Sequence, residues 1–248
     1  PFQLTDDAFR HLKPLTKLEA LHLSHGEITH EAFRHLDGYP IKSLCVMDCP
    51  RLTNASFGHI FNFFRNNITD LYLGNSPTYL RLFSTIIPPT PCPITDKTVI
   101  TYLPRLKKLQ RLSIGLTQCT KQGIQALAQL GAVCPNFEAL TLRQGALVDD
   151  ATILALINAF KASYKFNFLK VTGRPRLSKE MQQKCMEAIG TDEKGKPRDL
   201  TLLVFPDKIY ASSVPLAISP QDLAVLALLD PASFTNAFSL TNGYKTDE

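Results

Sequence analysis

The chain has 248 residues, 44% of them hydrophobic, enough to bury a substantial core, and its length allows one or two domains. Its 27 Lys and Arg against 22 Asp and Glu leave a charge of +5, a mild excess that argues against an obligate nucleic-acid binder, which carries a concentrated basic stripe. The six cysteines form no CxxC pair and no zinc spacing, no apolar run is long enough to cross a bilayer, and no signal peptide opens the chain. The expectation is therefore free thiols in a reducing, cytoplasmic setting, with no metal, no cofactor and no membrane.

Two patterns recur along the chain. Alternation of the form LxxLxL marks a short half-buried strand. An apolar residue, a capping residue and a second apolar residue four beyond the cap mark a helix entry. The first entry, Leu4-Thr5-Phe9, predicts a helix over 5–12. Because it lies directly after Pro1, further sequence upstream is expected. The strand Leu18-Leu21-Leu23 leads to the entry Ile28-Thr29-Phe33, in a segment that also holds His22, His25, His30 and His35. These histidines fall on different faces, which speaks against a metal site. Ile41-Leu44-Val46 is followed by Leu52-Thr53-Phe57 and a helix whose Phe57, Ile60, Phe61 and Phe64 form the buried stripe. Two formal glycosylation sequons, at Asn54 and Asn67, fall in a helix entry and a strand opening and are read as coincidence.

After Ile68-Leu71-Leu73 the next entry is delayed to Ile94-Thr95-Val99, so the unit carries an insertion at 74–93 that contains Tyr79 and Phe83. The segment 109–130, LQRLSIGLTQCTKQGIQALAQL, shows the unit at its most regular: a strand through Leu109, Leu112 and Ile114, then Thr120 capping a helix through Ile124, Leu127 and Leu130. Phe137-Leu140-Leu142 with Val148-Asp149-Ile153 repeats it, and there Asp149 reads as a helix cap rather than an acid/base pair with Asp150. Phe166-Leu169-Val171 follows with a weaker entry at Leu177-Ser178, then Leu200-Leu203-Phe205 with a second insertion at 206–217 holding Tyr210 and a last entry at Ile218-Ser219-Leu223. Pro231 stops that helix and 231–248 reads as a C-terminal tail.

One strand and one helix cannot enclose a core, so each unit must stack on its neighbours. The prediction is an α/β solenoid, one domain over 1–230, with parallel strands on the concave side and helices on the convex side. At Ile41 to Phe57 with Cys49, at Leu4-Thr5-Asp6 and Ile94-Thr95-Asp96, and at Ala128 to Phe137 (AQLGAVCPNF), the chain resembles the cysteine-containing leucine-rich repeat family. That repeat type is similar to the one in F-box leucine-rich proteins. The resemblance implies a leucine-rich repeat horseshoe, buried unoxidised Cys49 and Cys134, and, by analogy with F-box relatives, presentation of substrates to a ubiquitin ligase.

No nucleophile elbow, phosphate loop or zinc-protease motif is present, so the expected activity is binding rather than catalysis. Stacked strands would set a grid of side chains on the concave wall: His22, Cys45, Tyr72, Ser113, Thr141, Lys170 and Val204 in one row, and Ala20, Ser43, Asp70, Arg111, Ala139, Phe168 and Leu202 in the next. The candidate partner-binding residues are Tyr72, Arg111, Arg143, Lys170 and Phe168 on the wall, with Tyr79, Phe83 and Tyr210 from the insertions, of types that anchor interfaces. Both insertions interrupt the unit between strand end and helix cap, which predicts that they leave from one edge and frame the site. A protein partner is the first expectation. The alternatives are RNA or other nucleic acid on a track of Arg111, Arg143, Lys170, Arg174 and Arg176, and a horseshoe that inhibits an enzyme.

Overall fold

The computed structural model describes residues 4–75, 94–190 and 200–205, apart from His25, Thr117, Ala162 and Tyr164. The insertion tips, Cys92, the entry at 218 and the tail lie outside these residues. Seven five-residue strands form one open sheet, ordered as in the sequence: β1 (Ala20–Ser24), β2 (Ser43–Met47), β3 (Asp70–Gly74), β4 (Arg111–Gly115), β5 (Ala139–Arg143), β6 (Phe168–Thr172) and β7 (Thr201–Phe205). Every adjacent pair is parallel. Each connection returns the chain to the same end of the sheet through a helical segment, as parallel pairing requires. The fold is the leucine-rich repeat solenoid that the alternating patterns predict.

The helical layer comprises a 3-10 helix at Asp6–Leu12, then α1 (His30–Arg34), α2 (Asn54–Phe64), α3 (Lys121–Ala126), α4 (Leu130–Val133), α5 (Asp150–Phe160) and α6 (Lys179–Ile189). Between β3 and β4 it tightens and loosens instead, through a π-turn at Thr98–Tyr102 and a 3-10 turn at Leu103–Arg105. Pro104 has no N–H to continue an α-ladder.

The core lies between the sheet and these helices. Leu44, Leu71, Leu73, Ile114, Leu140, Leu142, Leu169 and Val171 point into it from the strands and are buried. Phe57, Ile60, Phe61 and Phe64 meet them from α2, as the helical spacing predicts. Phenylalanines carry the packing across repeat boundaries: Phe9 lies 5.7 Å from Phe33, Phe33 lies 6.4 Å from Phe64, and Phe160 stacks between Phe137 at 5.0 Å and Phe166 at 4.5 Å. Such ring pairs add about 0.5–1.5 kcal/mol each to the burial term, so they reinforce the one apolar core that runs through the stacked repeats.

A second ladder, polar, runs along the helix N-termini. Thr29, Thr53, Asp149 and Ser178 each cap their own helix by accepting a backbone N–H, and Thr53 forms a capping box with Ser56. The residue after the cap reaches across to the next repeat. Asp6 accepts from the N–H and hydroxyl of Thr29, both at 2.7 Å. Asn54 accepts from Thr95 and Thr98, and Asp96 accepts from the N–H and hydroxyl of Thr120 at 2.8 and 2.5 Å. Lys121 pairs with Asp149, and Asp150 with Arg174. At the remaining step His30 stacks on His59 at 4.6 Å. The Thr-Asp of the repeat thus serves two helices: Thr is placed to cap its own, and Asp holds the next.

One strand departs from the expected register. Phe168 pairs with Thr201, Leu169 with Leu202, Lys170 with Leu203 and Val171 with Val204. The sequence pattern Leu200-Leu203-Phe205 places the strand one residue off, and a one-residue slip exchanges the two faces. Leu202 and Val204 therefore face the core side, with Leu202 buried, and Thr201 and Leu203 take their places on the open face. The apolar run from Leu202 to Phe205 carries no alternation from which register can be read.

Candidate functional site: the open face of the sheet

The ladder aligns three rows on the face away from the helices. The middle row is His22, Cys45, Tyr72, Ser113, Thr141, Lys170 and Leu203. Of the residues expected to bind a partner, Tyr72, Lys170 and Phe168 are half-buried on this face, and Arg111 is exposed. Tyr79, Phe83 and Tyr210 lie outside the described residues. The insertions that carry them depart from Gly74 and Phe205, each the fifth residue of its strand. Their starting points therefore share one edge of the sheet.

Arg111 and Asp70 stand opposite each other on β4 and β3. The Arg111 Nε donates to Asp70 Oδ1, and the Thr69 hydroxyl donates to Oδ2 at 2.7 Å. The bonded carboxylate raises the Arg111 pKa further above its already high value, so the guanidinium stays charged and its remaining N–H groups can meet an incoming acceptor. Lys170 behaves differently. Burial, with Arg143 as a second cause, draws its ammonium below the ordinary lysine value.

Arg143 is not displayed on the face. It is 8% exposed and lies flat across the sheet: its Nη2 donates to the carbonyl of Leu73 at 2.5 Å, and its Nη1 donates to the carbonyl of Asn75. Those acceptors lie two strands away, about 10 Å at ordinary strand spacing. Two glycines leave the path clear. Gly115 stands beside Arg143 in the ladder, and Gly74, at φ 111°, ends β3. The β3–β4 pairing stops at Leu73 and Ile114, whereas β2–β3 and β4–β5 each continue one residue further. Arg143 therefore supplies donors where β3 turns away into the insertion, and buried carbonyls need such partners. A glycine at the fifth position of two successive strands, followed by an arginine at the fifth position of the next, is the signal in the sequence that could have shown this.

Around this face the reactive groups are committed or quenched. Burial pushes the Cys45 thiol up to about 12, and Cys49, Cys134 and Cys185 up to about 11, values at which a thiol is a poor nucleophile. Cys49 and Cys134 donate to the carbonyls of Met47 and Leu106 at 3.3 and 3.4 Å. Cys119, in the apolar position before a cap, donates to the carbonyl of Ile94 at 3.6 Å. Asp149 accepts from the N–H and hydroxyl of Thr152 at 2.8 and 2.6 Å, and Lys121 and Thr152 hold its carboxyl well below the usual carboxylate range. Asp150 holds Arg174, which also donates to the Val148 carbonyl at 2.8 Å. Among the described residues, no three His, Cys, Asp or Glu side chains are grouped so as to hold a metal ion, and no helix is long and apolar enough to cross a membrane.

No family profile and no curated protein matches the sequence. Among solved structures, the tropomodulin C-terminal domain from Caenorhabditis elegans is similar over 74% of this chain and 90% of its own, at 11% identity and a TM-score of 0.44. The arginine decarboxylase of Paramecium bursaria Chlorella virus aligns over 82% of this chain and 62% of its own, at 11% identity and a TM-score of 0.22, and its agmatine-bound form does so at 13% and 0.21. Neither likeness assigns an activity.

The five-cation track expected for nucleic acid is reduced by this geometry. Arg143 is turned to the backbone, Arg111 to Asp70 and Arg174 to Asp150 and Val148. Tyr72, the outward part of Arg111, Phe168, Lys170 and Leu203 remain as a band of mixed apolar and polar character.

Proposed function

We propose that this protein is a non-catalytic protein-interaction module that seats its partner on the open face of the sheet. The observation that carries the reading is the register itself. It brings Tyr72, Arg111, Phe168, Lys170 and Leu203 from four units, 33 to 131 residues apart, onto one continuous surface. Tyr and Arg are the residue types that most often anchor protein interfaces, and partly buried aromatic rings lose little entropy on binding. The resemblance to F-box leucine-rich proteins supports a finer reading, in which the captured partner is a substrate presented to a ubiquitin ligase in the cytoplasm. The buried, protonated thiols are compatible with that compartment.

The test is affinity capture with the whole chain, followed by titration of the recovered partner against Tyr72→Ala and Phe168→Ala. Each variant is expected to weaken binding at least tenfold, which is about 1.4 kcal/mol, with thermal melting little changed. Unchanged affinity in both variants would remove the open face from the interaction. The finer reading further requires that ligase scaffold subunits co-purify with the chain and that the captured partner is stabilised in cells when the chain is depleted.

A further inference from the structure

The net charge of +5 is not spread evenly over the solenoid. In the turns that lead from each helix into the next strand, Lys13, Lys17, Arg65, Arg105, Lys107 and Lys108 are all exposed. The carboxylates of these turns among the described residues are Glu19, which is tied to Lys42 at 2.7 Å, Asp37 and the half-buried Glu138. The opposite edge, where strands lead into helix caps, is mixed: Asp6, Asp48, Asp96, Asp149 and Asp150 stand among Arg51, Lys97, Lys121, Arg174 and Arg176, and Lys121 and Arg174 are paired with Asp149 and Asp150. Cations near helix C-termini complement the helix dipole, which accounts for Arg65 at the C-cap of α2. It does not account for Lys17, Lys107 and Lys108, which stand beyond the helices on the strand side.

The strand register fixes how these charges line up. Lys17 and Lys108 each precede their strand by three residues, and three strand steps separate them, about 14 Å at ordinary spacing. Arg65 belongs to the unit between them. Arg105, two residues before Lys107, lies over the Tyr102 ring at 5.3 Å. The result is a group of exposed cations on one edge of the solenoid, in the turns into β1, β3 and β4.

From this edge we infer that the protein has a second interaction surface, distinct from the open face, that contacts the phosphate backbone of a nucleic-acid duplex without reading its sequence. Three features select that partner. Lysine is depleted from the centres of protein–protein interfaces, whereas Lys and Arg supply most side-chain phosphate contacts. Among the described residues these turns present one exposed large apolar side chain, Leu15, too little to anchor a protein partner. Among the described residues no aromatic ring of these turns is left free for unpaired bases to stack on, which disfavours a single strand: Tyr102 is occupied by Arg105, Phe166 stacks on Phe137 and Phe160, and the Tyr39 hydroxyl donates to the Lys13 carbonyl at 2.9 Å. Among the described residues no helix or strand projects from the edge to enter a groove, so the contact is electrostatic.

The experiment titrates the whole chain against labelled random-sequence DNA and RNA duplexes over a range of salt. The slope of log affinity against log salt is about −0.9 for each phosphate neutralised, so four to five contacts give about −4. The variant Arg65→Glu/Lys107→Glu/Lys108→Glu is expected to lose at least tenfold in affinity and to flatten the slope by about 2 to 3. The control Arg51→Glu/Lys97→Glu/Arg176→Glu removes three exposed cations from the opposite edge and should bind as the wild type does. The corresponding Gln variants serve if charge reversal impairs folding, which melting curves monitor. Absence of duplex binding by the wild type at low salt, equal losses in the two triple variants, or stronger competition by polyglutamate than by unlabelled duplex of equal charge would each overturn the inference.

Discussion

Replacing Gly123 by alanine should destabilise this protein, against the ordinary rule. A glycine inside a helix costs about 0.5–1 kcal/mol relative to alanine, so by propensity alone Gly123→Ala in α3 is a stabilising change. The structure reverses the sign. A Cβ at residue 123 would lie 2.0 Å from Asp96 Oδ1 and 2.7 Å from its Cγ, and relief requires the carboxylate to withdraw by about 1.5 Å to reach ordinary contact distance. Its bonds to the N–H and hydroxyl of Thr120 then break. Hydrogen bonds to charged groups contribute about 1.5–3 kcal/mol when buried, and less here because Thr120 is exposed. Against the propensity gain the net loss is about 1–2 kcal/mol, or roughly 2–8 °C in melting temperature for a chain of this size. Calorimetry of the wild type, Gly123→Ala, Asp96→Ala and the double variant closes the cycle. In the Asp96→Ala background the alanine should become neutral or stabilising. Stabilisation of the wild type by Gly123→Ala would refute the claim that the carboxylate of one repeat holds the helix of the next.

Arg143→Met should lower stability by about 2–4 kcal/mol by withdrawing charged donors from the carbonyls of Leu73 and Asn75, and Arg143→Lys should restore only part of it; chemical denaturation measures both. Native protein should react slowly with thiol reagents at Cys49 and Cys134, both buried with elevated pKa values, and mass spectrometry of labelled peptides reads the rates. Asp149 has a folded-state pKa below its unfolded value, so its contribution is complete above the ordinary carboxylate pKa and is lost as pH falls through that range and below. Asp149→Asn should therefore flatten the acid limb of the stability curve while leaving its shape above pH about 5 unchanged.

The architecture was legible because each repeat states it twice, once in the spacing of Leu, Ile and Val and again in the caps that follow. Thr29, Thr53, Asp149 and Ser178 act as the sequence suggests. Thr120 does not: its hydroxyl turns to Asp96 instead of to its own helix. Cross-repeat contacts of this kind are hidden because the partners lie 23 to 44 residues apart and no local period marks them. The open face was legible in outline and wrong in detail for two reasons. The continuous apolar run of β7 left its register undetermined, and an arginine expected at a partner surface proved to complete the sheet's own hydrogen bonding. In the charge balance, the total was mild while its arrangement was not, and only the strand register shows which lysines share an edge.

The central claim is that partners are held on the strand face rather than on the helical layer, and site-specific photo-crosslinking tests it most directly. A photoreactive residue placed at Tyr72 or Phe168 should capture the partner in a complex of defined mass. The same residue at the exposed helix positions His59 or Ala155 should capture none. Crosslinks from the helix positions, with none from Tyr72 or Phe168, would contradict the account.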